Sequence, residues 1–80
     1  MGRLGEVARL ICDVFGDESI NVSPDLNIRE LENWDSFRHV NLMIAIEDAF
    51  EIVIAPADME HIYSIRDLLS VIERRDESGG

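Results

Sequence analysis

Lysine is absent from this 80-residue chain, and cysteine, tryptophan and tyrosine occur once each. Without lysine, seven arginines stand against seventeen acids, for a net charge of −10. A surface so negative repels nucleic acid and anionic membranes and favours basic protein partners. The single Cys12 cannot form an internal disulfide, so the domain has to hold itself by packing, as proteins of the reducing cytosol do. No apolar run approaches the roughly 18 residues of a membrane span, and the N-terminus has no charged segment leading into an apolar one. Glu6 stands where a myristoylation signal requires Ser or Thr. A cytoplasmic, unanchored monomer is therefore expected. Recognisable catalytic patterns are missing too: there is no GxSxG and no serine, histidine and acid at a familiar spacing. Cys12, His39 and His61 have no metal-ligand spacing, and no DxDxDG loop points to calcium. An enzyme is the least supported class. Eighty residues bury only about two thirds of their unfolded surface, which argues for one modest core and against a deep enclosed active site.

What is present is helical periodicity. Leu4, Val7, Ile11, Val14 and Phe15 make one apolar stripe over residues 3 to 15, ending near Gly16. Residues 16 to 35 mix Gly, Asn, Ser, Pro and Asp with scattered Ile20, Val22, Leu26, Ile28 and Leu31, and predict a long ordered loop with a short turn around Arg29 to Leu31. Residues 36 to 50 give the strongest helix. The following EIVIAP is β-branched but has no second strand to pair with, so a buried loop is expected. ADMEHI after Pro56 suits a short helix. Ser64 and Asp67 resemble a capping box opening a last helix, with Ile65, Leu68, Leu69 and Ile72 inward and Arg74 and Arg75 near its C-terminus. There is no internal repeat. The expectation is an all-α bundle of three to four small helices with a long first loop, a domain over 1–76 and a disordered tail over 77–80.

The middle helix has two apolar faces. At about 100° per residue, Leu42, Met43, Ile46, Ala49 and Phe50 share a core arc interrupted by His39, which reads as a packed histidine. Phe37, Val40 and Ile44 lie together on a second arc, with Glu47 between the two. Two alternatives stand for the second arc: cover by loop residues such as Leu26 and Leu31, or exposure for a partner. His61, in the short helix, is expected at the surface or between helices. At the start of the helix, Asp35 and Ser36 suit capping, because their side chains accept from otherwise unpaired first amides.

These segments together resemble one family. WDSFRHVNLMIAIEDAFEIVI, followed by SIRDLLSVI, is similar to the acyl carrier proteins, whose signature is Asp-Ser-Leu opening the second helix and Glu-x-x-Phe closing it. The likeness extends to the first stripe, Ser23-Pro24, Glu47 to Phe50, Ile52, Ile54, Pro56 and Ser64 to Asp67. It implies a bundle of the acyl-carrier type that is not itself a catalyst. A phosphopantetheinyl transferase would attach 4′-phosphopantetheine to Ser36, beside Asp35, and the thiol of that arm would carry acyl groups as thioesters. The start of a helix suits the phosphodiester anion physically.

Departures from the pattern shape the expected partners. Phe37 replaces the usual Leu, and Arg38 and Asn41 stand where fatty-acid carriers often have acids. The resemblance therefore implies a stand-alone carrier of a dedicated bacterial pathway rather than of general fatty-acid synthesis. Its loading ligase or synthase would read Phe37, Arg38, Val40, Asn41, Ile44 and Glu47. Trp34 is expected to pack the loop onto the helix. A peptidyl or aminoacyl carrier, and an unmodified helical interaction module, are the alternatives.

Overall fold

The computed structural model describes residues 3–79, with side chains through 75. Helix α1 spans Arg3–Phe15, a 3-10 turn Ile28–Glu30, α2 Ser36–Phe50, α3 Pro56–Glu60 and α4 Ile65–Gly79. This is the expected small all-α bundle with a long first loop. A disordered tail is expected over 77–80; the backbone of 77–79 continues α4, and residue 80 lies outside the described residues.

Local chemistry sets the boundaries. Gly16 takes φ +64°, Asp17 N–H donates to Cys12 C=O at 3.1 Å and Gly16 N–H to Asp13 C=O at 3.3 Å, which is the Schellman closure that stops α1. The capping box at α4 is reciprocal: Asp67 N–H donates to Ser64 Oγ and Ser64 N–H to Asp67 Oδ2, both at 3.1 Å. Pro56 opens α3 in its first turn. Glu51 ends α2 in the left-handed region at φ 55°, a conformation a non-glycine residue adopts at some cost.

The core joins Val7, Ile11 and Phe15 of α1, Leu42, Met43 and Ile46 of α2, Ile65, Leu68, Val71 and Ile72 of α4, and Ile28, Ile54 and Ile62 from the connections. Each such side chain contributes on the order of 1.5–3 kcal/mol by leaving water. The long first loop is ordered because its backbone is bonded to the segment between α3 and α4 and to the first residues of α4. Ile28 N–H donates to Tyr63 C=O at 2.7 Å, Ile65 N–H to Leu26 C=O at 2.9 Å and Arg66 N–H to Pro24 C=O at 2.9 Å, around a lone bridge of Asn27 with Ser64. Twenty residues without a long element thus gain the hydrogen bonds that a buried backbone needs.

Several expectations about faces need correction. Ala49 is exposed, and Phe50 and Leu69 are only partly buried, whereas Val71 and Ile62 are core. A uniform helical wheel ignores how α1 and the loops close over only part of α2. In EIVIAP, Ile54 is buried but Val53 is 75% exposed, because the extended chain alternates its faces. Arg74 and Arg75 do not fall in the last turn, since α4 runs on to Gly79; Arg75 pairs instead with Asp58 of α3 at 3.0 Å.

Candidate functional site

The first turn of α2 is built by Asp35. Its Oδ1 accepts from Arg38 N–H at 2.7 Å, and its Oδ2 meets Arg38 Nη1 at 3.2 Å. Arg38 Nη1 also donates to Asn33 C=O at 3.1 Å, so the arginine braces the loop that enters the helix. Ser36 follows, exposed, at the first helical position. With Asp35 capping Arg38 N–H, the amides of Ser36 and Phe37 keep no partner within the helix. Ser36 therefore presents a hydroxyl and the positive end of a 15-residue helix to solvent.

Beside it, α2, α3 and the loop before α2 frame a cleft of ≈ 380 Å³ that includes Ser36. Trp34, His39, Val40, Pro56 and Met59 supply its apolar walls, and Arg29 and Glu60 its polar rim. His39, only 6% exposed, is held from both sides: Trp34 Nε1–H donates to Nδ1 at 3.2 Å, and Nε2 lies 3.0 Å from Met59 C=O. Indole N–H is a donor only, so Nδ1 is the acceptor and Nε2 carries the proton that Met59 C=O receives. That is the packed histidine expected from sequence, with partners the sequence did not reveal. Trp34 packs the loop against the core as expected.

Arg29 is the functional-region residue that sequence reading missed. Its guanidinium lies 4.1 Å from the Tyr63 ring centroid and 5.6 Å from that of Trp34, and donates to Glu60 C=O at 2.9 Å. It ties the first loop to the end of α3. The one signal available was an arginine in the loop of a chain whose single Trp and single Tyr both flank the same connections.

The second arc of α2 is exposed. Phe37 is 73%, Val40 47% and Ile44 53% exposed, while Leu26 and Leu31 turn toward the core instead. Of the two alternatives, exposure is the one found. A shallow groove continues the arc from Ile44 past Asp48 and Ile52 to Val53. Asn41 lies half-buried on α2. Glu47 has a use inside the domain: its Oε2 accepts from Ile54 N–H at 2.7 Å and holds the turn after α2. His61 is exposed, its Nδ1 2.7 Å from Ala57 C=O.

Among the described residues no group of three His, Cys, Asp or Glu is placed to hold a metal, and no helix is long and apolar enough to cross a membrane.

Comparison with known proteins agrees with this geometry. In fold, the chain is similar to the solution NMR structure of a holo acyl carrier protein from Geobacter metallireducens, at 23% identity and TM-score 0.87, over 99% of this chain and 91% of that one. The family described as "Phosphopantetheine attachment site" matches residues 5–72. Its members carry a prosthetic arm and are not catalysts, and their arm is put on by a transferase. The chain belongs to this family of phosphopantetheine-binding carrier proteins.

Proposed function

We propose that this protein is an acyl carrier protein in which Ser36 bears 4′-phosphopantetheine, and that it serves a dedicated bacterial pathway of the fatty-acid or polyketide type. The observation that carries the reading is Ser36 itself, an exposed serine at the start of α2 beside an open cleft, inside the region that matches the family. The surroundings fit the group. The unpaired amides of Ser36 and Phe37 suit a phosphodiester anion, and among the described residues the Ser36 hydroxyl has no competing hydrogen bond. When bound, the arm supplies a thiol that holds an acyl group as a thioester.

In the attachment, Ser36 Oγ bonds to the phosphorus nearest the pantetheine of coenzyme A. The pyrophosphate P–O bond breaks, 3′,5′-adenosine bisphosphate leaves, and the serine proton passes to a base of the transferase. Asp35 keeps Ser36 at the helix start by capping Arg38 N–H, and its exposed carboxylate is available to the transferase complex. Phe37, Val40 and Ile44 form the apolar docking face for the acyl-loading ligase or synthase, with Arg38, Asn41 and Glu47 around it. The carrier works as a cytoplasmic monomer, in keeping with its charge of −10 and its lone cysteine.

The test is incubation with coenzyme A and a broad-specificity phosphopantetheinyl transferase, followed by mass spectrometry of intact protein and peptides. The expected result is one phosphopantetheine on the peptide containing Ser36 and none on Ser36→Ala, with the variant still folded because Asp35 is the cap and the exposed Ser36 hydroxyl makes no hydrogen bond among the described residues. Modification elsewhere, or none on wild type, overturns the assignment.

A further inference from the structure

His39 is the first residue of the buried stripe of α2 that continues through Leu42, Met43 and Ile46. It lies one turn from Ser36, so a cargo passing from the cleft between α2 and α3 toward the core meets its ring first. That ring is fixed at both nitrogens, by Trp34 from the loop and by Met59 C=O from α3. Trp34 and His39 also stack edge to face at 5.8 Å between centroids. One hydrogen-bonded chain thus spans three elements across the floor of the cleft.

We propose that the Trp34–His39–Met59 chain is a latch that sets cargo length: it keeps a short acyl group in the open cleft beside Ser36 and bars it from the interior of the bundle. The inference rests on the carrier reading above and adds the class of cargo. Entry of an alkyl chain requires the imidazole to swing aside, which leaves the Trp34 indole N–H without its acceptor and Met59 C=O with only the long bond from Ile62 N–H at 3.4 Å. Losing one bond outright and weakening the other offsets the gain from burying roughly two to five methylenes. An acyl group of six carbons or fewer, at about that threshold, gains nothing by entering. The mixed lining of the cleft, with Arg29 and Glu60 at its rim, suits a short cargo that stays in contact with water.

Acyl-pantetheine arms can be installed in one step from acetyl- and hexanoyl-coenzyme A by the same transferase. The rate at which hydroxylamine cleaves each protein thioester is then divided by the rate for the same acyl group on free pantetheine. For wild type the corrected acetyl and hexanoyl rates are expected to agree within about twofold. In His39→Ala, where the latch is gone and space opens behind it, the hexanoyl thioester is expected to be protected at least threefold while acetyl is unchanged. Trp34→Phe, which keeps an aromatic ring but removes the N–H donor, is expected to move the same way by a smaller factor. It decides the matter if His39→Ala does not fold. A wild-type hexanoyl group already protected threefold, or no change in either variant that folds, overturns the latch and leaves the carrier reading standing. Absence of any arm on wild-type Ser36, seen by mass spectrometry before cleavage begins, removes both.

Discussion

Glu47 Oε2 accepts a hydrogen bond from the backbone N–H of Ile54 at 2.7 Å, across the turn in which Glu51 takes φ 55°. The same residue's carbonyl receives Ile52 N–H at 3.1 Å, so one glutamate closes the end of α2 twice. Its carboxylate therefore fixes the extended segment that buries Ile54 and turns Val53 outward. Charge-assisted bonds of this kind contribute about 1.5–3 kcal/mol. Glu47→Ala is expected to lower unfolding stability by that amount in urea titration, and Glu47→Gln by less, because an amide oxygen can still accept. Equal stabilities for Ala and wild type would mean that the turn holds without the carboxylate.

Asp67 links stability to pH. Its backbone bonds from Ser64, then from Tyr63, hold its carboxyl below the ordinary aspartate range, against a smaller opposing effect of burial. A lowered folded-state pKa stabilises the fold above the unfolded value of about 3.9, and that contribution is lost as pH falls through the folded value. Asp67→Ala is expected to cost about 1 kcal/mol near neutral pH by removing half of the capping box. The gap between variant and wild type, followed by thermal melts at stepped pH, is expected to close below about pH 4. A gap that stays constant into acid would show that the charged carboxylate is not what caps α4.

How far the fold was legible follows from which interactions are local. The stripe Val7, Ile11 and Phe15, the Gly16 stop, the Asp35 cap and the Ser64 and Asp67 box all act within a few residues, and each is where the pattern places it. The position of Ser36 at a helix start was legible for the same reason. Contacts between distant segments were not. Arg29 reaching Glu60, His39 reaching Met59 and Ile28 paired with Tyr63 span 20 to 35 residues, and no spacing rule encodes them. Helical periodicity likewise assigned Ala49 and Phe50 to the core without knowing how much of α2 its neighbours would cover.

That partial cover has a measurable consequence. Leu42 has no exposed surface, whereas Phe50 is only partly buried at the edge of the core. Leu42→Ala is expected to cost about 2–5 kcal/mol, and Phe50→Ala about 2 kcal/mol, below the roughly 3–5 kcal/mol of a fully buried phenylalanine. Chemical denaturation of the two variants checks the order. A loss above about 4 kcal/mol at Phe50 would place it deeper than its exposure implies.

On the proposed carrier reading, the exposed face of α2 allows two modes of docking to be told apart. Phe37, Val40 and Ile44 offer apolar anchors, while Arg38 is engaged by Asp35 and Asn33 and Glu47 by Ile54. Arg38 and Glu47 thus already have partners within the domain, whereas Asp48 lies exposed in the groove beside Ile44. Charge pairs at an interface mainly raise association rates and are screened by salt, whereas desolvated apolar anchors are not. Ile44→Ala is therefore expected to slow acyl loading by the cognate ligase more than Glu47→Gln does. A single anchor of this size is worth on the order of 1–2 kcal/mol, or roughly 5- to 30-fold in specificity constant. Loading rates for both variants, measured at low and high salt on equally phosphopantetheinylated protein, check the expectation. Loading that collapses in high salt, with Glu47→Gln the more damaging change, would make docking electrostatic and leave Ile44 a bystander on an exposed helix.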